Sequence, residues 1–134
     1  MFRRDDKKNA ALEACEHAIA ARKYCYESSG LHKGGEDCLI EELNEKRCLA
    51  FGLCPVEAQV YYGEAEGVKG KGMCSLWAEA FAFTREDARG VDEITKEAHK
   101  RGNEIIMADK RKGAACRERV HNLSKCLSKW GPFE

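Results

Sequence analysis

Three pairs of cysteines in this chain share one interval: Cys15 and Cys25, Cys38 and Cys48, and Cys116 and Cys126 each stand ten positions apart. An α-helix rises about 1.5 Å per residue, so ten positions span about 15 Å and leave the two sulfurs broadly on one side. Such sulfurs are too far apart to bond each other, since a disulfide needs Cα atoms within about 7 Å. They are well placed to bond a second helix that carries the same interval and runs antiparallel beside the first. The stretch Cys38-Leu-Ile-Glu-Glu-Leu-Asn-Glu-Lys-Arg-Cys48 has strong helix propensity, and a matching helix lies just upstream. Antiparallel order then pairs Cys15 with Cys48 and Cys25 with Cys38. The expected fold is all-α, a disulfide-stapled antiparallel hairpin with additional helices, including a long C-terminal one.

A chain of 134 residues is one domain, or one domain with an extended arm. Large aliphatic residues are sparse and many apolar positions are Ala, so the core buries little area per residue and needs staples. Eight cysteines, an even number, supply them at positions 15, 25, 38, 48, 54, 74, 116 and 126. No two are separated by only two residues, which removes the knuckle of structural zinc sites and thioredoxin-type redox sites. Formal net charge is zero, so the global balance singles out neither nucleic acid nor an acidic membrane. Disulfides imply an oxidising compartment. The segment Met1–Ala10 nevertheless has no apolar stretch suited to secretion, and its acids argue against a cleaved transit peptide. No window has the apolar length that spans a bilayer.

Residues 1–54 read as the hairpin. Asp5 and Asp6 cap a first helix that runs to about Ser28, with Leu12, Cys15, Ile19 and Tyr26 as its apolar stripe and Ser29-Gly30 as its stop. A glycine-bearing loop, Leu31–Gly35, leads to Glu36 and Asp37, which suit the positive start of a second helix; it runs to about Phe51 and ends at Gly52. Residues 55–90 read as short helices and a glycine-rich loop. Pro55 opens a helix at its first position, Val56, Val60 and Tyr61 or Tyr62 face inward, and Gly63 ends it. Residues 64–72 form a flexible loop, Met73–Phe83 a short buried helix, and Thr84 with Asp87 resembles a capping box.

Residues 91–134 read as one long charged helix from about Val91 to Trp130, interrupted only by Gly102 and Gly113. Ten basic residues face seven acids in this segment. Val120, Leu123, Cys126, Leu127 and Trp130 restore an apolar face before Gly131-Pro132 stops it. Two arrangements remain for the last four cysteines. A nested one joins Cys54 to Cys126 and Cys74 to Cys116, docking the long helix on the hairpin without orphan thiols. The other joins Cys54 to Cys74 and leaves Cys116 to an outside group. The nested set is preferred.

Twin Cys-x9-Cys helices joined by a short loop resemble the coiled-coil-helix-coiled-coil-helix (CHCH) family of mitochondrial proteins. The last copy, Cys116-Arg-Glu-Arg-Val-His-Asn-Leu-Ser-Lys-Cys126-Leu127, resembles the corresponding segment of the cytochrome oxidase assembly mitochondrial proteins. The resemblance covers residues 15–48 and 116–127. It implies import into the intermembrane space without a cleaved presequence, and trapping there by an oxidative relay. The relay's docking signal is a cysteine with large apolar residues one turn away, a pattern matched by Cys126 with Leu123 and Trp130, or by Cys48 with Phe51. Cys54 and Cys74, twenty apart, depart from the family pattern, as does a third Cys-x9-Cys helix without an adjacent partner.

Reactive chemistry finds little support. Copper delivery in this family uses vicinal cysteines as soft thiolate ligands, and no Cys-Cys pair occurs. The relay oxidase needs Cys-Pro-Cys, but Cys54-Pro55 is followed by Val56. His17, His32, His99 and His121 show no i, i+4 spacing and read as surface histidines. Gly67, Gly70 and Gly72 alternate with lysines but follow no strand, a poor phosphate cradle. The stretch Lys96 to Lys112 is rich in cations, yet Glu97, Glu104 and Asp109 among them favour a solvated or partner-facing helix over RNA or anionic lipid. A long helix with so thin an apolar stripe, followed by exposed Trp130 and Phe133, calls for support from a larger assembly.

The expected role is that of a non-catalytic structural accessory subunit of a mitochondrial inner-membrane respiratory-chain complex, on its intermembrane-space side. No catalytic residue, cofactor or metal is expected. The expected partners are protein subunits of that complex, with the chain peripheral to the membrane and nucleic acid disfavoured. The alternatives are a cytochrome oxidase assembly factor and a mitochondrial ribosomal protein of CHCH fold.

Overall fold

The computed structural model describes residues 4–29, 38–63, 72–86 and 88–131. Among these residues the chain is helical without strands: α1 (Arg4–Ala14), α2 (Glu16–Ser29), α3 (Leu39–Leu53), α4 (Pro55–Tyr62), α5 (Met73–Ala78), α6 (Ala80–Phe83), α7 (Glu93–Met107) and α8 (Lys110–Ser128). The all-α, disulfide-stapled fold class is the one the cysteine spacing calls for. The expected features at Gly30–Asp37, residues 64–71, Asp87, Pro132 and Phe133 lie outside the described residues.

The first arm of the hairpin is α1 followed by α2, divided at Cys15 rather than continuous. Backbone bonds from Cys15 N to Ala11 O and from Ile19 N to Cys15 O, both 3.0 Å, carry the helical path through the break. Asp5 and Asp6 lie inside α1 instead of ahead of it. The second arm, α3, runs through Gly52 to Leu53, so that glycine is no terminus. A Cβ at position 52 would stand 2.9 Å from the Cβ of Ala11; its absence lets α1 lie directly on α3.

Pro55 does open α4, and Gly63 (φ 38°) closes it. Its inward face differs from expectation. Ala58, Tyr61 and Tyr62 are buried at the i, i+3, i+4 spacing of one stripe, while Val56 and Val60 are 71% and 52% exposed. An eight-residue amphipathic helix cannot bury both stripes, and the two aromatic rings bury more area than two valines.

The expected Met73–Phe83 helix is broken at Glu79 into α5 and α6. Thr84 donates its hydroxyl to Ala80 O at 2.6 Å, so it ends α6 instead of starting the next helix. The cap of α7 is Asp92, whose carboxylate accepts from Thr95 N at 2.7 Å.

The C-terminal limb is corrected in the same way: it is two helices, not one. Asp109 Oδ1 accepts from Arg111 N at 2.9 Å and Lys112 N at 3.4 Å, satisfying amide donors that a fresh helix start leaves open. The long C-terminal helix is therefore the 19-residue α8. Gly102 and Gly113 both lie inside helices, where Gly102 allows contact with Leu76 of α5.

The core gathers Ala11, Leu49, Ala50, Leu53, Ala58, Tyr61, Tyr62, Ile106 and Leu123 around Cys15, Cys54, Cys74 and Cys116. Cys48 and Cys126 pack against it from partly buried positions. Sulfur thus fills volume that aliphatic side chains fill in a larger core.

Candidate interaction surfaces on a disulfide frame

The structure brings the eight cysteines together in four bridges. In the hairpin, Cys15 joins Cys48 and Cys25 joins Cys38, with Cα–Cα distances of 5.8 Å and 6.0 Å. Beyond the C-terminal end of α3, Cys54 joins Cys126 at 6.2 Å and Cys74 joins Cys116 at 5.1 Å. All four distances suit the bond. Cys54 stands at the junction of α3 and α4, so the Cys54–Cys126 bridge ties α8 to the end of the hairpin, while Cys74–Cys116 ties α8 to α5. No cysteine is left free.

Between the two hairpin rungs, polar side chains complete the seam. Arg22 Nε donates to Glu45 Oε2 at 2.6 Å and its Nη2 to Oε1 at 3.3 Å, a two-pronged pair whose side chains are 11% and 13% exposed. One turn on, Tyr26 donates its hydroxyl to Glu42 Oε1 at 3.0 Å, and the Arg22 guanidinium lies 5.3 Å from the Tyr26 ring centroid. Burial, then the hydrogen bond to Glu42, pushes the Tyr26 phenol up to about 12. Sequence reasoning missed this seam. The register set by the cysteines is the signal that places Arg22 near Glu45.

Two arginines reach disulfide sulfurs: Arg89 Nη2 donates to Cys25 Sγ at 3.1 Å, and Arg119 Nη1 to Cys74 Sγ at 3.6 Å. Deeper inside, Tyr61 donates to Glu79 Oε2 at 3.1 Å, and Glu79 is only 5% exposed. Burial and then the Glu79 charge raise the Tyr61 phenol above its ordinary range, and burial does the same to Tyr62.

The histidines divide. His17 and His121 are exposed, and His32 lies outside the described residues. His99 is not a surface residue. It is fully buried, stacked on Phe83 with ring centroids 4.3 Å apart, and its Nδ1–H donates to Thr95 O at 2.8 Å. A lone histidine on a charged helix carries no signal of this, because only the packing of α6 on α7 creates the slot.

Cys54, Cys126 and Glu57 present ligand atoms within 4.8 Å of one another, the spacing of a metal set. The two sulfurs bond each other, however, so neither is a thiolate available to a cation. The apolar neighbours proposed for an import relay also separate. Leu123 is buried and Trp130 packs against the core beside Cys126, whereas Phe51 near Cys48 is 37% exposed. Trp130 is therefore not a free aromatic. Lys7 Nζ lies 5.5 Å from its ring centroid and Lys8 Nζ donates to its carbonyl at 3.2 Å, tying the end of α8 to α1.

Outward, the frame presents large apolar side chains: Tyr24, Val56, Phe81, Ile94 and Met107 are each more than three-fifths exposed. It also presents a cationic helix. Lys110, Arg111, Lys112, Arg117, Arg119 and Lys125 of α8 are all exposed, against the single acid Glu118. Two depressions flank α8, one against α4 and one lined by Trp77, Ala78, Arg117 and Val120. Among the described residues, no helix is long and apolar enough to cross a membrane. No protein-family model, curated protein or solved structure matches the chain.

Proposed function

We propose that this chain is a non-catalytic accessory subunit of a mitochondrial inner-membrane respiratory-chain complex, held on the intermembrane-space side. One observation carries the reading. All eight cysteines are committed to bridges, and the frame they stiffen turns Val56, Phe81, Ile94 and Met107 outward, where only another surface can cover them. Frame and exposed apolar residues together suit a clamp between larger subunits. Two observations support the proposed compartment: four disulfides favour an oxidising environment, and the twin Cys-x9-Cys hairpin resembles the mitochondrial CHCH proteins. Native-gel fractionation of mitochondria tests it. The chain should migrate in a stable high-mass band with respiratory subunits; a wholly monomeric pool overturns the reading.

A second reading, a mitochondrial ribosomal protein of the same fold, is favoured by the exposed cations of α8. Co-sedimentation with ribosomes, reversed by modest salt, would support it.

A further inference from the structure

The depression between α4 and α8 has a volume of about 380 Å³, at the lower end of the range for ligand pockets. Its α4 wall carries Val56 and Val60, one helical turn apart and turned out of the core. Its other wall carries Arg119 and Lys125 of α8 and Lys129 at that helix's C-cap, all exposed. Glu57 is the one acid on the lining. The Cys54–Cys126 bridge joins the two walls, so their separation is set before anything binds.

We propose that this groove docks an acidic amphipathic helix of a protein partner. Apolar side chains one turn apart on that helix cover Val56 and Val60, and its carboxylates meet Arg119, Lys125 and Lys129. The proposal rests on the accessory-subunit reading and names the chemistry of one contact in it. Charge complementarity selects the occupant: three cations against one acid call for an anionic partner, and paired valines call for an apolar one. A nucleic acid backbone satisfies the cations alone. It leaves the valines uncovered.

Fluorescence anisotropy on the full, oxidised chain tests this. The probe is a short labelled helical peptide with leucines at i and i+4 and glutamates elsewhere. It should bind, and a peptide of the same composition with scrambled leucines should bind roughly tenfold or more weakly. Val56→Ser/Val60→Ser should weaken binding by a similar factor. Lys125→Glu/Lys129→Glu should weaken it too and flatten its salt dependence. These positions are exposed, so both variants should keep wild-type helicity and resist alkylation before reduction. Failure of the peptide to bind, unchanged binding by both variants, or stronger binding of a labelled oligouridylate at the same groove overturns the proposal. The variants also separate it from its premise in native gels. If they stay in the high-mass band beside wild type, the groove fails and the accessory-subunit reading stands. A monomeric wild type overturns that reading instead.

Discussion

Gly102 of α7 lies against Leu76 of α5 so closely that a Cβ on the glycine would stand 2.5 Å from the Leu76 Cβ. That atom is fixed to the backbone, so the helices themselves must part to admit a methyl group. Gly102→Ala gains roughly 1 kcal/mol of helix propensity. Against this, overpacking costs about 1–3 kcal/mol, and the shortness of the contact puts the cost at the upper end. A net loss of about 1–2 kcal/mol is expected. Gly113 is the control. The nearest atom to its missing Cβ is 3.7 Å away, an ordinary contact, so Gly113→Ala should stabilise by about 0.5–1 kcal/mol. Denaturant midpoints of the two variants decide the matter; shifts of the same sign would refute this account of the α5–α7 contact.

The Arg22–Glu45 pair bridges the hairpin where neither partner reaches bulk water well. Replacing Glu45 by Ala leaves a nearly buried guanidinium without its carboxylate, and about 2–4 kcal/mol should be lost. A matched apolar double variant, Arg22→Met/Glu45→Leu, removes both desolvation penalties and should lose less than Arg22→Met or Glu45→Leu alone. A double-mutant cycle on urea midpoints measures this directly. Strict additivity of the two single effects would mean that the pair contributes no coupling.

The hairpin was legible because its signal is arithmetic: equal intervals on two antiparallel helices meet rung by rung. Helix boundaries were harder to read, for a physical reason. A glycine within a helical pattern is either a terminus or a close approach, and only the facing residue distinguishes them. For Gly52 that residue is Ala11, and for Gly102 it is Leu76. The break at Asp109 was written in the sequence as a capping residue before a basic turn, but the surrounding charge pattern hid it. Val56 and Val60 carried no sign of their direction, since each face of α4 has apolar residues. The groove against α8 follows from that direction, so the interaction surface was less legible than the frame.

Three tyrosines couple stability to alkaline pH. Tyr26 is pushed up to about 12, and Tyr61 and Tyr62 stand higher still, while an unfolded tyrosine titrates near 10. Above pH ~10 the unfolded chain therefore binds fewer protons than the folded one, and stability falls as pH rises. The contribution of these groups is complete below pH ~10 and is lost progressively through their folded values. Tyrosinate absorbance and helical ellipticity followed together should show Tyr26 ionising before Tyr61 and Tyr62. Ionisation of the two buried phenols should then coincide with loss of helix. Full ionisation near pH ~10 with helix retained would show that the Tyr61–Glu79 contact does not hold its proton.

The bridges make the sharpest prediction, because each pair closes a loop of different length. Cys54–Cys126 spans 72 residues and Cys25–Cys38 spans 13. Loop entropy assigns them about 4.4 and about 2.9 kcal/mol taken alone. In the folded chain the outer bridge encloses the inner one, Cys74–Cys116. With that inner bridge kept, the outer one closes only the 20 residues from Cys54 to Cys74 and the 10 from Cys116 to Cys126. Its expected value then drops to about 3.7 kcal/mol. Cys54→Ser/Cys126→Ser should therefore cost more than Cys25→Ser/Cys38→Ser, by under about 1 kcal/mol from entropy. Mass spectrometry after alkylation provides the companion test. The native chain should take up no alkylating groups, the fully reduced chain eight, and each double variant should leave the other three bridges intact. A native chain that alkylates before reduction, or peptides joined in any other pairing, would break the frame on which every surface described above depends.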